Sequence, residues 1–336
     1  MSGVAVPRLR DDVEALTAAV QRAAAHFGII DTFVEKDFWV TEVLRSVASG
    51  TTVTVAGVET PVTAIFKGGT SLSRVFGLTE RFSEDVDILI AFPEGASLAS
   101  RDRALKQIVD RCREHLGTAV TAALVTSTKG VKRNVEFAYP RLFANATVRE
   151  AVLLEMGSRG GPEPHESRTL HSMVAEYASE VLGKGAETWA EFAPVTIATL
   201  NPERTLLEKC ALLHNLAVRF EEGDETSMDY MGRAGRHYYD VRCLISNEDV
   251  RAALAAMGTE GVAALVEDIN VRSAKAGWRF VPRPEAGFGA SPAFDPSAAC
   301  QRVAAQSYTI AMGMVHGYKP SLADCLTAIN ANGHLL

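Results

Sequence analysis

The sequence has little that would tie it to an oxidising compartment, a membrane or a polyanion. Its five cysteines, Cys112, Cys210, Cys243, Cys300 and Cys325, are odd in number and widely spaced. No Cys-x-x-Cys or Cys/His metal spacing occurs. That excludes a disulfide scaffold or a zinc finger and suits reduced thiols in a cytoplasm. No apolar run approaches the length of a membrane span. The stretch Met1 to Arg8 lacks the charged-then-apolar build of a signal peptide. Nor is the chain basic: 34 Lys and Arg stand against 41 Asp and Glu, a net charge of −7. A protein binding nucleic acid over its whole surface would be basic, so any such site must be a local patch. Internal repeats and low-complexity tracts are missing. What is present is an ordinary globular composition, 47% hydrophobic and 22% charged over 336 residues, enough for two subdomains.

The chain is organised around residues 67 to 87. Val62 to Phe66 is a short apolar, β-branched run that predicts a buried strand. Lys67-Gly68-Gly69-Thr70-Ser71-Leu72-Ser73 follows, where glycine permits a sharp turn and the close approach of a ligand. Thr70 to Phe76 can form a short helix whose N-terminal amides would face an anion. Asp85-Val86-Asp87-Ile88-Leu89-Ile90 then predicts a strand with both aspartates on one face. Two carboxylates side by side call for a countercharge, and a divalent cation supplies it. A glycine turn alone, or an Asp-x-Asp alone, is usually a solvated turn and strand. In this order they form the layout for a nucleoside triphosphate with Mg²⁺.

Elsewhere the pattern is less specific. Residues 9–27 and a segment starting near Asp31, a plausible N-cap, read as helices. In the second, Phe38 and Trp39 are core anchors, and Glu35-Lys36-Asp37 reads as a solvated face. The 101–115 helix carries Arg103, Lys106, Asp110 and Arg113 near one stripe, more often a solvated face than a nucleic-acid patch. Strands are expected at 122–125, 133–139 and 151–157, and a loop at 158–168. The 151–157 strand carries Glu155 toward its end, either a third metal carboxylate or an ion-pair partner of Arg149 or Arg159. Asn201-Pro202-Glu203 starts a helix whose buried stripe is Leu206, Cys210, Leu213 and Ala217, with Lys209 at its margin. Residues 221–235 have no strong period. In Arg236-His237-Tyr238-Tyr239-Asp240 the aspartate sits at the edge of a helical stripe, within i,i+4 reach of Arg236. The rest reads as helices at 248–257, 262–275, 296–314 and 321–332, with a second basic cluster at Arg272, Lys275, Arg279 and Arg283.

The glycine turn and Asp-x-Asp resemble the nucleotidyltransferase superfamily. More narrowly, residues 67–73, Arg81-Phe82-Ser83-Glu84-Asp85-Val86-Asp87, Pro202-Glu203-Arg204-Thr205 leading to Glu208-Lys209, and Arg236 to Asp240 are similar to the motifs of the AbiEii/AbiGii toxins, in the same order. These are the toxin halves of type IV toxin–antitoxin systems, and the MenT toxins belong to the same group. The Glu35-Lys36-Asp37-aromatic helix extends the likeness toward the N-terminus. The resemblance implies an α/β (α+β) fold: a nucleotidyltransferase (polymerase β-like) core sheet over residues 1–170, and a helical C-terminal domain over 171–336 completing the groove. It implies that Lys67, Gly68, Gly69, Thr70, Ser71, Ser73 and Ser83 surround the nucleotide. Asp85 and Asp87, with Glu155, would bind two Mg²⁺ ions. Lys209 falls on the family's essential lysine and would hold a phosphate oxygen. Asp240 falls on an aspartate required for toxicity, which activates the acceptor or positions the lysine. The implied reaction moves NMP from an NTP, a pyrimidine and CTP in particular, to the 3′ end of tRNA, blocking aminoacylation. The implied partner is an AbiEi-like antitoxin. In one branch a serine at the position of Ser83 is phosphorylated. The rivals are a small-molecule or protein acceptor, and a non-catalytic module binding a nucleotide or an antitoxin.

Overall fold

A computed structural model describes residues 6–144, 148–275, 277 and 279–336. The first five residues of the N-terminal stretch considered above lie outside them. The chain forms two compact units. One comprises Met1–Thr70, Glu84–Ser158 and Glu166–Thr199; the other comprises Ser71–Ser83, Arg159–His165 and Leu200–Leu336. Chain order and unit membership therefore interleave.

The first unit is a mixed sheet with helices. Helix α1 (Val13–Phe27) starts where the Asp12 side chain accepts from the Ala15 amide, and ends at Gly28, whose φ of 66° is left-handed. Helix α2 (Asp31–Ala48) has Ile30, not Asp31, at its N-cap, and no side chain caps it. Asp31 is instead the first helical residue, where its charge suits the helix dipole. Strands β1 (Thr51–Val55) and β2 (Val58–Lys67) form a hairpin closed by Ala56 and Gly57, both at positive φ. That is the turn whose twist matches paired strands. Helix α3 (Gly68–Arg74) follows, then β3 (Asp85–Ala91) and helix α4 (Leu98–Leu116), capped by Ser97. Next come β4 (Thr121–Thr128), β5 (Lys132–Ala138), β6 (Ala151–Gly157), β7 (His165–Leu170), α5 (Met173–Leu182) and β8 (Val195–Leu200).

The strand order is β4-β5-β6-β3-β2-β8-β7, with β1 on β2. The central strands are the apolar ones. β3 pairs parallel with β6 and antiparallel with β2, and Val86, Ile88, Ile90, Val152, Leu154 and Met156 are buried. Strands covered on both faces read as near-continuous apolar runs, which is why both were visible in the sequence. β7 was not: a loop was expected over 158–168, yet His165–Leu170 is a strand at the end of the sheet. Its first five residues are polar and mostly exposed, so no alternation marks them.

The second unit is helical. Its elements are α6 (Pro202–Glu221), α7 (Glu225–Met231), α8 (Gly235–Ser246), α9 (Glu248–Lys275), α10 (Gln301–Ala311) and α11 (Leu322–Ala331). Pro202 opens α6, and Asp224 caps α7 within the stretch that had no readable period. Gly258, at φ 65° and ψ 176°, is not helical, so α9 is two helices meeting at that residue, in keeping with the two expected over 248–257 and 262–275. Ser321 and Asp324 close a capping box on α11. Leu206, Cys210, Leu213, Tyr238, Val241, Leu244, Phe288 and Phe294 form the core, joined by Leu72 of α3. Each fully buried side chain of this size contributes roughly 1.5–3 kcal/mol.

Candidate active site

In the first unit the acidic residues gather on two neighbouring strands, β3 and β6. Asp85 and Asp87 are half-buried on one face of β3, with Val86 and Ile88 buried on the other. The strand pairing sets Lys67 of β2 opposite Asp87 on one side, and Glu155 of β6 opposite Asp87 on the other. Asn134 of β5 lies opposite Glu155, and its side-chain amide donates to that carboxylate. Burial, then the charges of Asp87 and Asp85, push the Glu155 carboxyl up to about 7. Of its two sequence readings, the structure puts Glu155 among carboxylates. Arg149, one of the candidate partners, instead reaches Glu136 with its guanidinium and Glu84 with its backbone amide.

The glycine turn sits against this cluster. Gly68 has φ +79°, and a Cβ there would collide with the Asp87 carboxylate. Only a residue without a side chain fits, on both counts. Thr70 is buried, and its hydroxyl donates to the Asp85 carbonyl at 2.6 Å, tying the turn to β3. Ser71 is fully buried; Lys67, Ser73 and Ser83 keep partial exposure, and Ser83 precedes the first residue of β3. Gly69 is buried inside α3.

Do these residues fit divalent cations? Three carboxylates on adjacent strand positions are hard oxygen donors, the set Mg²⁺ takes. The raised Glu155 shows the repulsion that a cation would relieve. Among the described residues, no group of three or more His, Cys, Asp or Glu is placed so that it could hold a metal ion by itself. Mg²⁺ commonly keeps several waters and is completed by substrate phosphates, so an open donor set is consistent with it.

Sequence reasoning missed what lies behind this cluster. Glu35, Lys36 and Asp37 are buried, not a solvated face. Glu35 accepts from the Leu142 and Phe143 amides, and Asp37 from the Met173 amide. Lys36 donates to the carbonyls of Arg149 and Ala151, the latter at the start of β6. Burial lowers its ammonium to about 8, opposed by Glu84 and Asp85. The helical period would have flagged these positions only if the run had been recognised as buried on every side; Phe33 to Leu44 is so throughout.

The second unit holds a different charged group. Asp240 on α8 is completely buried and has both oxygens engaged. Arg81 grips it as a fork, Nε to Oδ1 at 2.6 Å and Nη2 to Oδ2 at 2.8 Å. Lys209 of α6 lies 2.9 Å from Oδ2. Its Nζ is also 3.3 Å from His237 Nδ1. Burial alone would raise the Asp240 carboxyl, but Arg81 and then Lys209 outweigh it and hold the group well below the usual range. His237 is pushed well below its ordinary value, first by burial and then by the Lys209 charge, so it accepts from the ammonium as a neutral ring. Lys209 is thus buried rather than marginal. Asp240 pairs with Arg81 and Lys209, not in an i,i+4 pair with Arg236.

The basic clusters read from the sequence have structural partners. On α4, Lys106 pairs with Asp102 and Arg113 with Asp110, as a solvated face does. Arg272 bonds Asp268 and the Gly160 carbonyl, and Arg283 bonds the Leu336 carbonyl. Arg204 is fully buried on α6, reaching Glu208, Asp268 and the Glu163 carbonyl. Among the described residues no helix is long and apolar enough to cross a membrane.

No curated protein matches the chain. JHP933 from Helicobacter pylori is a similar solved structure, at 14% identity and a TM-score of 0.36, covering 90% of this chain and 98% of its own. A second H. pylori structure, described as a candidate nucleotidyltransferase, has 15% identity and a TM-score of 0.30, covering 74% of this chain and 98% of its own. The profile of the family described as "Nucleotidyl transferase AbiEii toxin, Type IV TA system" matches residues 59–296. That span, well over half of the chain, includes the glycine turn, Asp85, Asp87, Lys209 and Asp240, so the chain belongs to the AbiEii nucleotidyltransferase toxin family of type IV toxin–antitoxin systems.

Proposed function

We propose that the protein transfers NMP from an NTP, with CTP favoured, to the 3′ end of tRNA, and that the blocked end arrests growth by preventing aminoacylation. The observation that supports this most is the meeting of Gly68 with Asp87. A backbone with no side chain to shield it lies against the Asp87 carboxylate, with Asp85 on the same strand face and Glu155 opposite Asp87. A triphosphate needs that open backbone, and its cations need those oxygens.

In this reading Asp85, Asp87 and Glu155 would hold two Mg²⁺ ions. When bound, such ions polarise the α-phosphate and lower the pKa of a nearby hydroxyl. Gly68 and Gly69 admit the phosphates to the strand ends. Lys67, Ser73 and Ser83 are the partly exposed side chains that can reach them. Thr70 and Ser71, being buried, shape the turn from behind. Lys209 supplies a point charge for a phosphate oxygen. The tRNA 3′ hydroxyl attacks the α-phosphorus, the bond to the β-phosphate oxygen breaks, pyrophosphate leaves, and the hydroxyl proton is lost. The partner is an AbiEi-like antitoxin and the setting is the cytoplasm. A phosphate on Ser83 would add about −1.5 to −2 charge beside Asp85 and oppose metal and triphosphate binding. Intact-mass measurement after co-expression with an antitoxin tests that point: an unmodified Ser83 removes it.

The test is incubation with total tRNA, Mg²⁺ and each α-labelled NTP, with Asp85→Ala alongside. Label in the tRNA band for one nucleotide, absent in the variant, is the expected result. Label only in a small-molecule or protein fraction would reassign the acceptor. No label from the wild type, with undiminished toxicity of Asp85→Ala in cells, would favour a non-catalytic binding module.

A further inference from the structure

Arg81 lies in the spacer between the glycine turn and Asp85, and nothing in the reaction as described uses it. Its placement is heavily determined. The Phe82 amide donates to the Met314 carbonyl at 2.8 Å, and the His316 amide to the Glu80 carbonyl at 2.9 Å, so Arg81 sits in a β-bridge opposite Val315. The Glu80 carboxylate accepts from the Tyr318 amide at 3.0 Å, and the Glu80 amide donates to the Tyr239 hydroxyl. This framework delivers a guanidinium, about as buried as its partner, to both oxygens of Asp240. Asp240 then meets Lys209 through the oxygen that Arg81 already shares.

Two features follow. First, both oxygens of the fully buried Asp240 are engaged by cations, which hold its carboxyl ionised. Second, two cations share one anion in a buried place. The group is one negative charge short, and Arg81 prevents Asp240 from neutralising Lys209 fully. A lysine paired alone with a buried aspartate would be a closed ion pair with little attraction left for phosphate. Because Arg81 shares the same oxygen, Asp240 neutralises the lysine less completely, while burial and then the Arg81 charge lower the Lys209 ammonium against the pull of Asp240.

We propose that Arg81 is a positioning residue for the triphosphate: acting through Asp240, it fixes the place of the Lys209 ammonium and keeps its charge available, so that Asp240 is a spacer between two cations and not a base. The inference rests on the nucleotidyltransfer reading, and it assigns Asp240 the positioning role of the two open to it.

The experiment measures equilibrium binding of each of the four NTPs with Mg²⁺, and then KM and kcat where transfer occurs. The proteins are wild type, Arg81→Met, Arg81→Lys, Asp240→Asn and the double variant Arg81→Met/Asp240→Asn, each checked by melting temperature. Loss of one well-made charged contact corresponds to about a tenfold change. Arg81→Met should weaken NTP binding by about that factor or more, raising KM more than it lowers kcat. Arg81→Lys should recover part of the loss. The double variant should bind no worse than Asp240→Asn. The pH profile of kcat should keep its acidic limb in Asp240→Asn. Binding that is alike in wild type and a folded Arg81→Met overturns the proposal. So do losses that multiply in the double variant, or an acidic limb that vanishes with Asp240. If Arg81→Met does not fold, Arg81→Lys decides, since it keeps the charge and loses the fork. Because NTP binding needs no acceptor, absence of tRNA labelling would count against the tRNA acceptor, whereas failure of this inference is read from NTP binding alone, so the two failures are distinguishable.

Discussion

The two charged groups of this protein are opposites in construction. In the first unit, Asp85, Asp87 and Glu155 share neighbouring strand positions, half-buried, like charge beside like. In the second, Asp240 is completely buried with every oxygen bonded, between Arg81 and Lys209. One group sets like charges side by side; the other gathers two cations around a single anion. Under the proposed function, metal ions would join the first and a triphosphate the second. The difference teaches that burial and satisfaction do not mark function by themselves: the acidic residues stay half-buried, and the basic ones are locked together at a folding cost.

The sharpest way to break that comparison is to remove charge from each side. Asp85→Ala and Asp87→Ala should lower NMP transfer by on the order of a thousandfold, since a lost metal clamp forfeits several kcal/mol of transition-state stabilisation. Their melting temperatures should be unchanged or higher, because repulsion goes with the carboxylate. A fall of several degrees in either would show that these aspartates are structural. Chelation with EDTA should abolish transfer in the wild type and be reversed by Mg²⁺.

Asp240→Asn should do the reverse in stability. Removing one partner of a buried ion pair costs about 3–5 kcal/mol, readable as a lowered midpoint in urea. An unchanged midpoint would mean that Arg81 and Lys209 find other partners. The pH dependence carries the same sign: the folded carboxyl lies below its unfolded value near 3.8. The network's contribution is therefore complete at neutral pH and is lost as pH falls below the ordinary carboxylate range.

Gly68→Ala tests the seam between turn and carboxylate. The strained φ costs about 1–3 kcal/mol, and the Cβ must displace the Asp87 side chain. Stability and transfer should fall together, whereas a folded, fully active variant would separate the glycine from the site.

Lys36 offers a smaller, graded effect. Its folded-state value near 8 lies below the ordinary 10.5. Between those two values the unfolded chain binds more protons than the folded one, so stability rises with pH. Denaturation at pH 8, 9 and 10 should show a rising contribution that Lys36→Met lacks; parallel slopes would disprove it. At the bottom of the scale, Lys106→Ala on the solvated face of α4 should change stability by less than about 0.5 kcal/mol.

Much of the fold was legible from the chain. β2, β3 and β6 showed as apolar runs, and Pro202 and Ser321 marked helix starts. The polar strand β7 was not legible, because it carries no apolar alternation of its own; the hairpin partner β1 offers only Val53 and Val55, too short a run to stand out. In the site, the adjacency of Asp85 and Asp87 follows from a two-residue period. The company of Glu155 does not: the parallel register of β3 with β6 decides it. Lys36 was misread because its charge suggests solvent, whereas two backbone carbonyls from more than a hundred residues away receive it.

The sequence by itself determined the local chemistry: a turn that only glycine can make, two carboxylates on one strand face, and a lysine on a helix opened by proline. These depend on residues a few positions apart, whose geometry the backbone period dictates. Only the tertiary structure decided which distant groups meet. Arg81 and Asp240 are separated by 159 positions. No spacing rule relates them, because their contact depends on how the spacer and α8 pack rather than on anything either segment encodes alone.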